Sequence, residues 1–202
     1  METIKTVLIN AYVVGTVLLA VDSYIRLDIQ FKTEDEPNTW TIVWQFFFFL
    51  LFEEITFYTF HRTLHHPKLY YLHKKHHEYK ATINLAYLYS GTVEHLGNVM
   101  TTGLSYTLLS RVCPVHIFTV IIWLTYRIIE TEDGHCGYDW PWAISHWFPF
   151  SAGGKYHFFH HSKNAGNYGG ILHLFDTIFD TNLDYRKIDC PERYIKDSKL
   201  QK

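Results

Sequence analysis

Cysteine is scarce in this 202-residue chain, limited to Cys113, Cys136 and Cys190. The three are isolated and odd in number, with no Cys-x-x-Cys pair. They build neither a disulfide framework nor a thiolate zinc site, so any metal is held by nitrogen, with or without carboxylate. Net charge is nearly absent too. A formal −2 and a pI near 6.7 argue against a nucleic-acid partner. Internal repeats, low-complexity linkers and an obvious hydrolytic nucleophile are also missing. The apolar stretch Thr6–Val21 has only Lys5 ahead of it and no convincing small-residue cleavage site after it, so it does not read as a signal peptide. This length suits a single domain, 1–202.

Apolar and aromatic residues are plentiful, at 48% and 18%. Mean hydropathy is still only −0.09, because histidine, tyrosine and a polar tail offset long apolar runs. Four such runs stand out: Thr6–Val21, Thr41–Phe60, Leu96–Ser110 and Val115–Ile129. A hydrocarbon core of ~30 Å takes about 20 helical residues. The second run reaches that length and the others are marginal, so the last two form either a full hairpin or a re-entrant one. Between the first two runs the 22–40 loop holds Arg26 and Lys32 against five acidic residues. Arg62, Lys68, Lys74, Lys75 and Lys80 follow the second run, which places that side in the cytosol. The expected fold is an all-α integral membrane protein of about four hydrophobic helices with a cytosolic helical cap. Residues 188–202 form a charged tail.

Nine of the fourteen histidines fall into three groups: His61/His65/His66, His73/His76/His77 and His157/His160/His161. Residues three and four apart are neighbours on a helix, so each group can aim several ring nitrogens at one point. The topology brings all three groups, with His135, to the cytosolic face. Nine imidazoles exceed what one tetrahedral zinc uses, so a two-metal centre is expected. Imidazole itself accepts iron, zinc, copper or nickel. A helix is expected around His157–His161 after Gly153-Gly154, and a shorter one over Ile171–Phe179. His116 and His146 lack a partner pattern and read as structural. Glu53 and Glu54 end the second run, either orienting ligand histidines or closing a helix at the interface.

His-Arg-Thr-Leu-His-His (61–66), His-Lys-Lys-His-His (73–77) and His-Phe-Phe-His-His (157–161) resemble the three histidine boxes of the fatty acid hydroxylase/sterol desaturase superfamily. The segment from Trp123 through Glu130 and His135 to Trp142 is similar to the one before the third box in C-4 methylsterol monooxygenases. Gly166-Asn167-Tyr168, with Phe175-Asp176 through Thr181 and Tyr185, resembles their C-terminal signature. The likeness covers about residues 42–187.

The resemblance implies two non-haem irons per chain, O₂, and electrons from NAD(P)H through cytochrome b5 and its reductase. It also implies the endoplasmic reticulum membrane, a sterol substrate oxidised at the C-4 methyl group, and other C-4 demethylation enzymes as partners. The implied metal ligands are His61, His65, His66, His73, His76, His77, His135, His157, His160 and His161. His95 and His173 are further candidates, and Glu53, Glu54 and Asp139 stand behind the ligands. The family's Tyr-x-His-Pro pattern meets Tyr89-Ser90-Gly91-Thr92 here, so Gly91 replaces a histidine that His95, one turn on, could supply. Alternatives are a sterol desaturase, C-25 hydroxylase or side-chain dealkylase, or a non-catalytic metal-binding scaffold.

Overall fold

The computed structural model describes residues 2–16, 29–30 and 37–189, and those residues are mostly helical. The run Thr6–Val21 extends past the described residues. Its described part is helix α1 (Glu2–Leu8) and a π-helical stretch Ile9–Val14. The tail beyond 189 also lies outside them.

Helix α2 (Thr39–Leu64) opens on Asn38, whose side chain accepts the Thr41 backbone N–H at 2.8 Å, satisfying one of the four donors a helix start leaves unpaired. Its 26 residues span about 39 Å at ~1.5 Å each. Among the described residues it is the one helix long and apolar enough to cross a membrane. Trp40, Val43, Trp44, Phe47, Leu51 and Ile55 leave an apolar stripe exposed. The inward face changes along its length, from Gln45, Phe49 and Leu50 through Glu53 and Glu54 to Tyr58 and His61.

The third and fourth apolar runs become two helices, α3 (Thr92–Leu109) and α4 (Ile117–His135). They fall short of a membrane span by apolarity, because polar residues occupy their inner faces. Glu94, His95, Thr101 and Ser105 are buried on α3, and Glu130 and His135 on α4. Two short strands depart from the all-α expectation. Strand β1 (Ile29–Gln30) pairs in parallel with β2 (Val115–His116).

The apolar core joins α2, α4 and the 171–172 segment. Phe49, Leu50, Val120, Trp123, Ile171 and Leu172 are all buried there. Trp123 lies 5.6 Å and 5.9 Å from the rings of Phe46 and Phe49.

Helix α5 (Gly153–Lys163) ends at Asn164 in the left-handed region (φ 57°), where its N–H reaches the His160 carbonyl. Two short helices follow, α6 (Leu174–Ile178) and α7 (Leu183–Asp189). At Gly154 the start of α5 closes on the chain after α4. A β-carbon there would stand 2.6 Å from the Tyr138 carbonyl oxygen and 3.0 Å from that of Asp133. Backbone cannot yield cheaply, so Gly154→Ala should cost about 1–3 kcal/mol by overpacking, read as a lower melting temperature.

Candidate metal centre

Four separate pieces of chain deliver the histidines. His61 lies in the last turn of α2 and His65 caps it. His73, His76 and His77 sit on and between two 3₁₀ turns, Tyr70–Leu72 and His76–Glu78, not on the helix face expected from their spacing. His135 is the last residue of α4, and His157, His160 and His161 lie on α5.

Nine ring nitrogens converge in two groups. One holds His61, His65, His73, His77 and His160, the other His76, His135, His157 and His161. Within each group the donor atoms lie within 4.8 Å of one another. All nine are buried except the half-buried His65.

The outer nitrogens explain the aim of the inner ones. His61 Nδ1–H donates to the Tyr168 carbonyl at 2.9 Å, and His160 Nδ1–H to that of Gly166 at 2.6 Å. His161 Nδ1–H reaches the Tyr79 carbonyl at 2.9 Å and His135 Nδ1–H that of Thr131 at 2.8 Å. His73 Nδ1–H meets the buried carboxylate of Glu94 at 2.7 Å. A neutral imidazole carries one N–H. These acceptors claim it at Nδ1, so each Nε2 presents a lone pair inward.

Where both partners are fixed in this way the inner contact is not an ordinary hydrogen bond, and His77 and His157 can each donate at most one Nε2 proton to two neighbouring nitrogens. His61 Nε2 lies 3.1 Å from His73 Nε2, two lone pairs face to face. His77 Nε2 is 2.9 Å from His73 Nε2, and His157 Nε2 is 2.9 Å from His135 Nε2 and 3.1 Å from His161 Nε2. Protonation would relieve the repulsion, but burial opposes it. Burial, with neighbouring imidazoles, holds His73, His76, His157 and His160 well below the ordinary histidine range and His77 at about 3. Cations bound at the two foci would resolve the conflict, so the residues fit a pair of metal ions.

A clamp holds the carbonyls that orient His61 and His160. Asp176 accepts the Tyr168 N–H at 2.8 Å and the Gly169 N–H at 2.6 Å, and takes the Thr181 hydroxyl as well. Glu54 accepts the Leu172 N–H at 3.0 Å. Glu53 binds the Thr102 hydroxyl at 2.9 Å and Arg127 Nε at 2.8 Å, and Arg127 also pairs with Glu130. Glu53 thus ties α2 to α3 and α4, while Glu54 acts on the loop. A cavity of about 300 Å³ lies beside the histidines, lined by His61, His73, His76, His135 and His157. Glu94, Val99, Thr102, Leu124, Arg127 and Ile128 form more of its wall.

Four expected site residues stand elsewhere. His66 is exposed, its Nδ1 accepting the Lys68 backbone N–H at 3.3 Å. It stands beyond the end of α2, one residue past the His65 cap. His95 lines the cavity but joins neither group. At Gly91, the N-cap of α3, a β-carbon would lie 3.1 Å from the Leu72 carbonyl oxygen. His173 caps α6 and bonds Thr177 at 3.0 Å. Asp139 pairs with His146 at 2.8 Å on the surface, so it backs no ligand and gives His146 a partner.

Spacing reveals neither Glu94 nor Asp176, because both act on histidines far away in sequence. For Asp176 its place in the Phe175–Thr181 signature is the only signal. Asp176→Ala should weaken metal binding by ~10–100-fold, the usual cost of losing an outer-shell partner, measured by chelator competition.

Acid should act on the metal-free protein. Folded-state values below the ordinary ~6.5 mean that the unfolded chain binds more protons as pH falls. The stability is intact above about pH 6.5 and lost below it. Melting temperature should decline from about pH 6.5 towards pH 5 as the unfolded chain takes up protons that these buried histidines do not.

Comparison with known proteins agrees with this geometry. A methylsterol monooxygenase of Aspergillus fumigatus is 35% identical over 155 residues, 72% of this chain and 50% of that protein. A very-long-chain aldehyde decarbonylase of Oryza sativa subsp. indica is 34% identical, over 77% of this chain and 58% of its own length. Methylsterol monooxygenase 1 of Danio rerio is 31% identical over 91% of this chain and 62% of its own. The chain thus spans about half to three fifths of the length of these curated relatives. No solved structure matches it. The fatty acid hydroxylase family model matches residues 46–181, which contain all nine converging histidines and the Glu54 and Asp176 clamp, and the chain belongs to that family.

Proposed function

We propose that this chain is a two-iron, O₂-dependent sterol oxidase of the endoplasmic reticulum membrane, acting on the C-4 methyl group. The observation that carries it is the set of nine inward-facing imidazoles beside a cavity of about 300 Å³. The methylsterol monooxygenases among its relatives support the substrate class. Bound iron supplies the activation of O₂ that an unactivated C–H bond requires and that side chains cannot provide.

The protein's own part is to hold, orient and exclude. Its imidazoles stay neutral, as ligands must, and the backbone carbonyls and Glu94 fix their tautomers. Val99, Leu124 and Ile128 supply apolar wall for a lipid, while burial keeps bulk water from the reacting carbon. Successive passes would convert methyl to alcohol, aldehyde and carboxylate, with electrons from NAD(P)H arriving through cytochrome b5. The chain would cross the bilayer more than once, with α2 as its longest span and the histidines at the cytosolic end beside Arg62, Lys68, Lys74 and Lys75.

A second reading has its own support. The rice aldehyde decarbonylases, at 34% and 33% identity, fall between the Aspergillus fumigatus methylsterol monooxygenase at 35% and that of Danio rerio at 31%. Gly91, in place of the usual histidine, likewise favours another reaction of the superfamily, such as sterol desaturation, C-25 hydroxylation or side-chain dealkylation. The sterol profile of cells lacking the protein separates these readings. Accumulated 4,4-dimethyl or 4-methyl sterols support C-4 oxidation; accumulation of a different precursor overturns it. For the metal centre, His160→Ala should lower iron content and cut turnover by more than the ~10–100-fold typical of outer-shell losses. A purified protein that holds zinc or no metal would count against catalysis.

A further inference from the structure

The chain between the two histidine-bearing helices α4 and α5 does not stay at the level of the metal centre. It leaves at His135 and returns at His157, whose Nε2 atoms are 2.9 Å apart. Between them Phe148 packs on Phe46 and Phe47 of α2, with ring centroids 6.4 Å and 6.1 Å away, and on Tyr126 of α4 at 5.9 Å. Phe46 precedes His61 by fifteen residues, about 22 Å at ~1.5 Å per residue. Tyr126 precedes His135 by nine, about 14 Å. The segment 136–152 therefore runs down beside α2, well within the depth of a ~30 Å hydrocarbon core, and comes back.

We propose that this segment is a re-entrant loop whose aromatic side chains lie in the bilayer. The proposal rests on the reading of α2 as a membrane span. Trp142 and Trp147 are 72% and 71% exposed, and Tyr138, Trp140 and Phe150 are exposed as well. Phe47 belongs to the exposed apolar stripe of α2 and touches Phe148, so that stripe and the loop form one continuous surface. Lipid that covers the stripe must reach the loop.

Composition fits the same occupant. Asp139 is the only Asp, Glu, Lys or Arg in 136–152, and it is paired with His146 at 2.8 Å. Tryptophan and tyrosine are the residues that favour the membrane interface. Irregular backbone in lipid must satisfy its own polar groups, and part of this loop does so. Ala143, His146 and Trp147 donate to the carbonyls of Trp140, Ala143 and Ile144 at 3.0–3.1 Å, and Ala152 donates to that of Ile171 at 2.9 Å. Pro141 and Pro149 have no N–H to satisfy.

The test uses the full chain in phosphatidylcholine nanodiscs with plain or brominated acyl chains, read by tryptophan emission. Trp40→Phe/Trp44→Phe leaves the loop tryptophans as reporters. Trp140→Phe/Trp142→Phe/Trp147→Phe leaves Trp40 and Trp44 to report on α2. Trp123 is fully buried and common to both. The expected result is that brominated chains remove the larger part of the loop emission, whereas aqueous iodide removes little. A loop quenched by iodide overturns the proposal. So does a loop shielded from both quenchers, which would indicate protein covering it. If brominated chains quench α2 and spare the loop, the re-entrant loop fails and the span stands. If they spare both reporters, both readings fail. If they quench the loop but spare α2, the span on which the proposal rests fails, and the re-entrant loop fails with it.

Discussion

The centre depends on a conflict between lone pairs. Backbone carbonyls of Tyr79, Thr131, Gly166 and Tyr168 and the carboxylate of Glu94 take the Nδ1 protons of five imidazoles. The Nε2 atoms are left facing one another at about hydrogen-bond distance with too few protons between them. Folding thus brings the donors together against their own repulsion, at the expense of metal-free stability and to the benefit of metal affinity. Outer-shell acceptors act in this way whenever they fix a ligand's tautomer and ring direction.

The rest of the structure keeps those acceptors in place. The 166–172 loop would have no reason to hold two carbonyls still were Asp176 and Glu54 not bonded to its N–H groups. Both carboxylates are fully buried, an expensive placement unless hydrogen bonds compensate it. Further down, Glu53, Arg127 and Glu130 bind α2 to α4, and Thr102 adds α3. Polar inner faces and apolar outer stripes are the arrangement expected of helices that surround a site and face lipid. The same polar residues keep α3 and α4 below the apolarity of an unambiguous span.

Much of this was legible in sequence. The spacing of His61/His65 and of His157/His160/His161 follows a helix and is found on one. The Gly153-Gly154 start of α5 and the helical character of 96–129 were readable for the same reason, periodic apolar residues between breakers. Legibility failed where local spacing stopped carrying the geometry. His66 shares a box with His61 and His65 but is exposed, because the helix ends at Leu64 and the chain turns after His65. His73, His76 and His77 stand on 3₁₀ turns whose form is set by the packing around them. The 96–129 runs read as a full or a re-entrant hairpin, and two helices form there; the 136–152 stretch, where Phe148 packs on Phe46 and Phe47, is not singled out as one. Nothing in the periodicity of that aromatic, proline-containing stretch indicates depth.

By itself the sequence determined the chemistry on offer: many imidazoles, few thiols, little net charge, and an apolar run of the length of a bilayer. Those are properties of residue type and local spacing, and they survive any rearrangement of the chain. Only the tertiary structure decided which nitrogens meet, how five and four of them divide between two foci, and which carboxylates stand behind them. Partners such as His73 and Glu94, or His61 and the Tyr168 carbonyl, are far apart in sequence. Their meeting depends on how the helices and loops pack, which no local pattern encodes.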